Sequence, residues 1–312
     1  MMKISLLVPI YGVEQYIEQC AESLFNQSYP ELEFIFCNDC TPDRSMELLQ
    51  KVIDRHPERA AQVRILCNEE NKGLGATRAH LISEVHTDYF IIVDSDDILP
   101  QDAVAILVKR MEETDADIVE GGYAEYSSGQ TGRTLLPDHS QGRSYLRRAL
   151  CQNVISLRVW GKLYKTEVLN RVPNLFMEGI DFAEDVCATS RLAAVTSRAW
   201  IDEVVYWYRT DNQSSYTNNI SRKNIHSYFR CISQVLRFYH QRGHLPLCLE
   251  VGLLNAYREC RRSGYAVADA DNVLQYVPEH LSARLLFWMF HDTRIPLSLT
   301  DYAYRLVRAL AY

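Results

Sequence analysis

The sequence predicts an α/β fold, with a mostly parallel central sheet, flanking helices and a helical C-terminal appendage. Three observations carry this. Short apolar runs alternate with longer helical patterns up to residue 94, the spacing of βαβ units with right-handed crossovers. The run Tyr89-Phe-Ile-Ile-Val93 ends in Asp94-Ser95-Asp96-Asp97, placing three carboxylates at the C-terminal end of a buried strand, where open α/β sheets bind ligands. From about Ser221 onward the pattern is helical and no run reads as a strand.

The elements follow in order. Residues 3–10 form the first strand, ended by Pro9 and the turn at Tyr11-Gly12. A helix over 13–26 places Ile17, Cys20, Ala21 and Leu24 on one face. The second strand is Leu32–Cys37, followed by a loop over 38–43 and a helix over 44–56. Val63–Cys67 is the third strand, and the Gly73-Leu-Gly75 turn opens a helix to Val85. A helix over 101–113, a strand over 117–126 with a glycine bend, the Trp160–Lys165 segment, a helix over 183–195 and a strand over 199–209 complete one domain, residues 1–215. Ser127–Arg143 is polar and turn-rich and reads as an exposed, mobile loop. The helical region is residues 216–312.

With 312 residues, 47% hydrophobic and 23% charged, the chain has the makeup of an ordinary globular protein. A net charge of −7 argues against nucleic acid as partner. No uninterrupted apolar stretch is long enough to span a membrane. The first apolar run is too short for a signal peptide and continues into a strand, so the expected location is the cytoplasm, with nine reduced cysteines. Cys37-Asn-Asp-Cys40 has CxxC spacing but no second pair, and Cys37 falls on a buried strand. Without export, the sequons at Asn26, Asn212 and Asn219 are chance matches.

Acids on successive strand ends, a glycine turn and an arginine suit a nucleotide. Acids bind base or ribose, while a cation and Arg78 hold a diphosphate. Asp94 and Asp96 suit Mg²⁺ or Mn²⁺, whose sphere phosphate and water complete. An acidic turn capping the helix near Gln101 accounts for one or two of the three acids at most. Other readings stay open: Asp39 as a turn residue before Pro42, Asp43 as a helix cap, and Arg78 as partner of a surface acid.

The order Val8-Pro9-Ile10-Tyr11, then Phe36–Ser45, then Asn71-Lys72-Gly73 to Arg78, then Val93–Asp97 resembles family 2 glycosyltransferases. Trp160–Lys165, Phe182-Ala183-Glu184-Asp185, and Tyr206–Arg209 followed by Ser214-Ser215 extend the resemblance over about 210 residues. It implies a nucleotide-diphospho-sugar transferase fold of the GT-A type and an inverting, metal-dependent transfer from a nucleotide diphosphate sugar, a UDP-sugar by preference. The implied acceptor is a saccharide or lipid-linked molecule in surface polysaccharide or lipopolysaccharide synthesis.

Carried over by residue, Asp39 recognises the nucleobase, with Pro9, Tyr11 and Arg78 also on the donor side. Asp94, Ser95 and Asp96 form the Asp-x-Asp element, and Asp185 of the Glu184-Asp185 pair is the base. Trp160, Lys162 and Arg209 fall on the acceptor side. Gly12, Cys40 and Ala79 depart from the family's usual Asn, Gly and Asn. The bland alternatives are helix-dipole acids at 184–185 and a core anchor at Trp160. The rival functions are a sugar nucleotidyltransferase, disfavoured by the lack of a Gly-rich basic loop after strand one, and a binding scaffold without turnover. The amphipathic segments 285–290 and 302–310 read as a peripheral contact with the inner membrane face, as packing on the chain itself, or as a homodimer surface.

Overall fold

Apolar runs and turns become one eight-stranded sheet in the computed structural model, which describes residues 2–152, 157–212, 221–243, 245–262, 264, 278–292 and 294–310. The strands are β1 (Ile4–Ile10), β2 (Leu32–Asn38), β3 (Val63–Cys67), β4 (Tyr89–Ile92), β5 (Ile118–Ser127), β6 (Gln130–Leu135), β7 (Lys162–Lys165) and β8 (Arg198–Arg209). Their order is β3-β2-β1-β4-β7-β5-β6, with β8 also paired to β5. β3, β2, β1 and β4 are parallel, β7 runs antiparallel to β4 and β5, and β8 is parallel to β5.

Helices α1 (Ile17–Phe25), α2 (Ser45–Arg55), α3 (Pro57–Ala60), α4 (Leu74–Ser83) and α5 (Ala103–Thr114) connect the first five strands. All seven residues of β1 are buried, as expected of a strand covered on both faces. The helix α1 buries Ile17, Cys20, Ala21 and Leu24, as its spacing predicts. Chain progression runs from β1 outward to β3, then returns to β4 on the other side of β1. That reversal opens a crevice at the strands' C-terminal ends.

Two expectations change. Residues 127–143 are not all loop, because β5 and β6 form a hairpin across the two-residue turn Ser128-Gly129. Both turn residues have positive φ (52° and 83°), the twist that a tight hairpin needs. Second, by compactness the chain divides into a unit of Met1–His139, Arg158–Glu178 and Thr196–Ser215 and a unit of Ser140–Leu157, Gly179–Val195 and Tyr216–Tyr312. Two interior segments expected in the first domain therefore cluster with the C-terminal helices.

The second unit contains α6 (Gly142–Arg147), a π-helical turn (Arg148–Gln152), α8 (Glu184–Leu192), α9 (Arg222–His240), α10 (Leu247–Arg262), α11 (Leu281–His291) and α12 (Leu297–Leu310); α7 (Val168–Arg171) belongs to the first. Within it Tyr257 meets Phe229 and Phe287 edge-on at 4.9 and 5.2 Å. The fully buried Glu250 accepts hydrogen bonds from the backbone N–H groups of Glu279 and His280, tying α10 to the start of α11.

The sheet of the first unit carries a buried charge network. Glu120 on β5 is ion-paired with Arg158 at 3.1 Å, Lys162 at 3.4 Å and Arg198. Next to it, a Cβ on Gly121 would collide with Val205 of β8, so the glycine bend permits close strand approach. Burial alone would raise the Glu120 carboxyl. Lys162, Arg158 and Arg198 outweigh that and hold it at about 2, below the ordinary 4.5. The stabilisation is therefore complete above pH 4.5 and lost as pH falls through about 2. Glu120→Gln leaves three buried cations facing a neutral group and should cost about 3–5 kcal/mol in urea unfolding at neutral pH. An unchanged midpoint would refute the network's structural role.

Candidate functional site

Loops leaving β1, β2 and β4 meet at the crevice. The first two are stitched together by side chains that reach backbone amides. Thr41 Oγ1 accepts from Gly12 N–H at 2.9 Å, and Asp43 Oδ2 accepts from Glu14 N–H at 2.9 Å. Asp43 also accepts from the N–H of Ser45, the first residue of α2, at 3.1 Å, but the N-cap position expected for it is held by Arg44, one residue later. Pro9 is buried within β1, beyond the last β4 pairing at Leu7–Ile92, whereas Tyr11 is 44% exposed.

Asp39 is 3% exposed and anchors the next loop. Its Oδ1 accepts from Asn68 Nδ2 at 2.7 Å and Lys72 N–H at 2.9 Å, and its Oδ2 accepts from Gly73 N–H at 2.9 Å. The side-chain turn suspected at Asp39 is made instead by Asn38, whose Oδ1 accepts from Thr41 N–H. Gly73, at φ 87°, starts α4, and one turn later Arg78 points to the β4 loop. Its Nη2 donates to Asp94 Oδ1 at 2.6 Å, and its guanidinium lies 5.6 Å from the Phe176 ring centroid. The acid that Arg78 pairs with is thus part of the cluster itself.

The acidic loop is held from behind. Tyr206 OH donates to Asp97 Oδ2 at 2.8 Å and accepts from Asp94 N–H at 3.1 Å. The N–H of Arg209 donates to Asp97 Oδ1 at 2.7 Å, and Arg209 Nε donates to the Asp96 carbonyl at 2.6 Å. Arg209 Nη2 also donates to Gln19, and its guanidinium lies against the rings of Tyr16 and Tyr126 at 4.7 and 5.1 Å. Asn212 Nδ2 donates to Asp96 Oδ2 at 2.8 Å. Ser95 is buried, while the Asp94 side chain keeps 25% exposure.

Electrostatics follow from the crowding. Burial and then Asp94 push the Asp96 carboxyl above its ordinary 3.8. Burial, Asp96 and Asp94 push Asp97 up well beyond that. Protein cations relieve this only partly, so the cluster favours an added positive charge. Among the described residues no three His, Cys, Asp or Glu side chains converge as metal ligands. Two carboxylates beside a solvent-open crevice suit Mg²⁺ or Mn²⁺ completed by phosphate and water.

Other expected site residues fall elsewhere. Trp160 is 7% exposed and stacks on Tyr206 and Tyr208 at 4.4 and 5.2 Å, so of its two readings, acceptor side or core anchor, the structure favours the core anchor. Lys162, expected near an acceptor, is 2% exposed inside the Glu120 network, where burial lowers its pKa to about 8. Arg209 braces the acidic loop. Glu184, buried, and Asp185, half-buried, form the first turn of α8 in the second unit, where the helix dipole favours carboxylates. Ser214, Ser215 and the sequon at Asn219 lie outside the described residues.

Asn68, Gln19, Tyr126 and Asn212 escape the sequence reading. Asn68 directly follows β3, so the rule that found the other strand ends could have found it; the other three carry no local signal.

Residues 5–172 match the model of "Glycosyl transferase family 2". The chain is 30% identical over 264 residues to the uncharacterized glycosyltransferase EpsJ of Bacillus subtilis, covering 81% of this chain and 74% of that protein. The crystal structure of Staphylococcus aureus TarS with UDP-GlcNAc has a similar fold, with TM-score 0.71, 17% identity, and 99% and 91% of the two chains covered. The mannosyltransferase PcManGT of Pyrobaculum calidifontis with GDP-Man and Mn²⁺ aligns at TM-score 0.55 and 15% identity, covering 99% and 86%.

Tyr206→Phe removes the hydroxyl that joins Asp94 and Asp97. It should cost about 1–3 kcal/mol in urea unfolding, because a buried carboxylate oxygen and an amide lose their partner. Wild-type stability in this variant would remove the brace from the account.

Proposed function

The chain belongs to glycosyl transferase family 2 and is a glycosyltransferase, and from this premise we propose that it is an inverting, cation-dependent enzyme using a UDP-sugar. The carrying observation is the meeting of Asp39, Arg78, Asp94 and Asp96 at the sheet reversal. Binding of UDP-GlcNAc by the TarS of similar fold supports a uridine donor. Asp39 serves the nucleobase through lone pairs left after its three internal hydrogen bonds. Tyr11 offers an exposed ring at the same rim, Pro9 fixes the strand end beneath it, and Arg78 faces the diphosphate. A cation held by Asp94 and Asp96 would neutralise charge on the departing diphosphate.

The acceptor hydroxyl gives its proton to Asp185, with Glu184 beside it, as its oxygen attacks the anomeric carbon. The bond to the diphosphate breaks, and its electron pair leaves with the phosphate oxygen. One base acting opposite the leaving group gives inversion. The acceptor is a saccharide or lipid-linked molecule of surface polysaccharide assembly, and the place of work is the cytoplasmic side. A sugar nucleotidyltransferase loses ground to the family match, and an inactive scaffold loses ground to the presence of every acid the chemistry needs.

A thermal-shift panel of nucleotide sugars should show a UDP-sugar raising Tm more with Mn²⁺ than without. No response to any nucleotide sugar, with or without Mn²⁺, would contradict the donor reading. Asp185→Asn should keep that shift and lose transfer by at least about a hundredfold, whereas Asp96→Ala should weaken both. Normal turnover by Asp185→Asn would refute the base. Because Asp96 takes up a proton above 3.8, a proton and a cation compete for it. Mn²⁺ affinity in calorimetry should therefore fall on acidification at a pH higher than an isolated aspartate would require. A flat profile would contradict the assignment of Asp96.

A further inference from the structure

The chain's exposed apolar surface is concentrated on two helices. Among the described residues, seven of the ten exposed large hydrophobic side chains lie on α11 and α12. On α11 they are Leu281, Leu285 and Trp288, spaced along one stripe; on α12 they are Leu299, Tyr302, Leu306 and Leu310. Each helix spends its opposite stripe on packing: Ala283, Leu286 and Phe290 of α11, and Thr300, Tyr304 and Val307 of α12, are buried. Both helices pack on α10 and on each other, so the outer stripes are neighbours and point away from α10. Trp288 is 69% exposed, and leaving such a ring in water is costly.

The charges on this face have one sign. The exposed Arg284 borders the α11 stripe, and the exposed Arg305 flanks that of α12 beside Tyr302. There is no acidic residue in α11, and Asp301, the one acid of α12, is ion-paired with Arg258 and Arg262 of α10. Asp292, just after α11, is held by Arg294. A two-fold contact between copies would bring these arginines together with no carboxylate of the face to meet them. An anionic lipid surface supplies phosphates for the arginines and an apolar layer for the leucines, with Trp288 at the boundary. No helix among the described residues is long and apolar enough to cross a membrane.

We propose that the outer face of α11 and α12 docks on an anionic phospholipid bilayer, the two helices lying in its surface. This stands apart from the transfer reaction and needs neither donor nor acceptor.

The test is co-sedimentation of the full chain with vesicles of phosphatidylcholine alone or mixed with phosphatidylglycerol, with sedimentation velocity run in parallel. Binding to the mixed vesicles, weakened by salt, with a blue shift of tryptophan emission lost in Trp288→Phe, is expected. Arg284→Gln and Arg305→Gln should each weaken binding about fivefold. Leu285→Gln with Trp288→Gln should weaken it at least about tenfold. These side chains are exposed, so the variants should melt as wild type does. Equal binding to neutral vesicles, or no binding, overturns the proposal. So does a dimer that Leu285→Gln with Trp288→Gln dissociates, since the face would then belong to a second copy. Donor binding is unaffected by any of these outcomes, so failure here leaves the glycosyltransferase reading standing.

Discussion

Three carboxylates within four residues repel one another, and the acidic loop depends on how the fold contains that repulsion. Asp97 is turned inward and receives Tyr206 OH and Arg209 N–H. Asp94 leans on Arg78, and Asp96 is left beside Asn212 with its carboxyl raised by burial and by Asp94. The arrangement is a spring held by hydrogen bonds from β8, whose residues lie more than a hundred positions away in sequence. Added positive charge would relax it, which is the physical ground for the proposed cation.

Most of the parallel half of the sheet was legible because β1, β2 and β4 are largely buried and read as apolar runs, while the edge strand β3 is not buried. The acids at their ends followed from topology. What local sequence could not reveal was the partner of each acid. Asp39 looked like a turn residue, yet Asn38 makes the turn, and Asp39 reaches across to Asn68, Lys72 and Gly73. Trp160 and Lys162 fell on the acceptor side through the family resemblance, and Trp160 read equally well as a core anchor. Tyr206, Tyr208 and Glu120, contributed by other strands, draw them inward. The β5–β6 hairpin was missed because its second strand is almost wholly exposed and carries no apolar alternation; only Ser128-Gly129 marks the turn.

Departures from the family's usual residues acquire a conformational meaning. Gly12 has φ 67° and replaces an asparagine, the other residue that tolerates a left-handed backbone. Cys40 has φ 55° where glycine is usual, which costs about 1 kcal/mol. The Thr41 and Asp43 bonds to the β1 loop hold the turn in spite of that. These substitutions preserve the loop path that brings Tyr11 and Asp39 to the crevice, so they leave the reaction class intact. The acids of α8 belong to the other compact unit.

The central claim is that the sheet's rim acids hold a cation against a sugar donor's diphosphate. Anomalous diffraction at the manganese edge, from a crystal grown with UDP-sugar and Mn²⁺, measures this directly. The account predicts one strong peak bonded to Asp96 or Asp94 and to both donor phosphates. A manganese peak away from these carboxylates, or a donor bound outside the β1–β4 crevice, would contradict it.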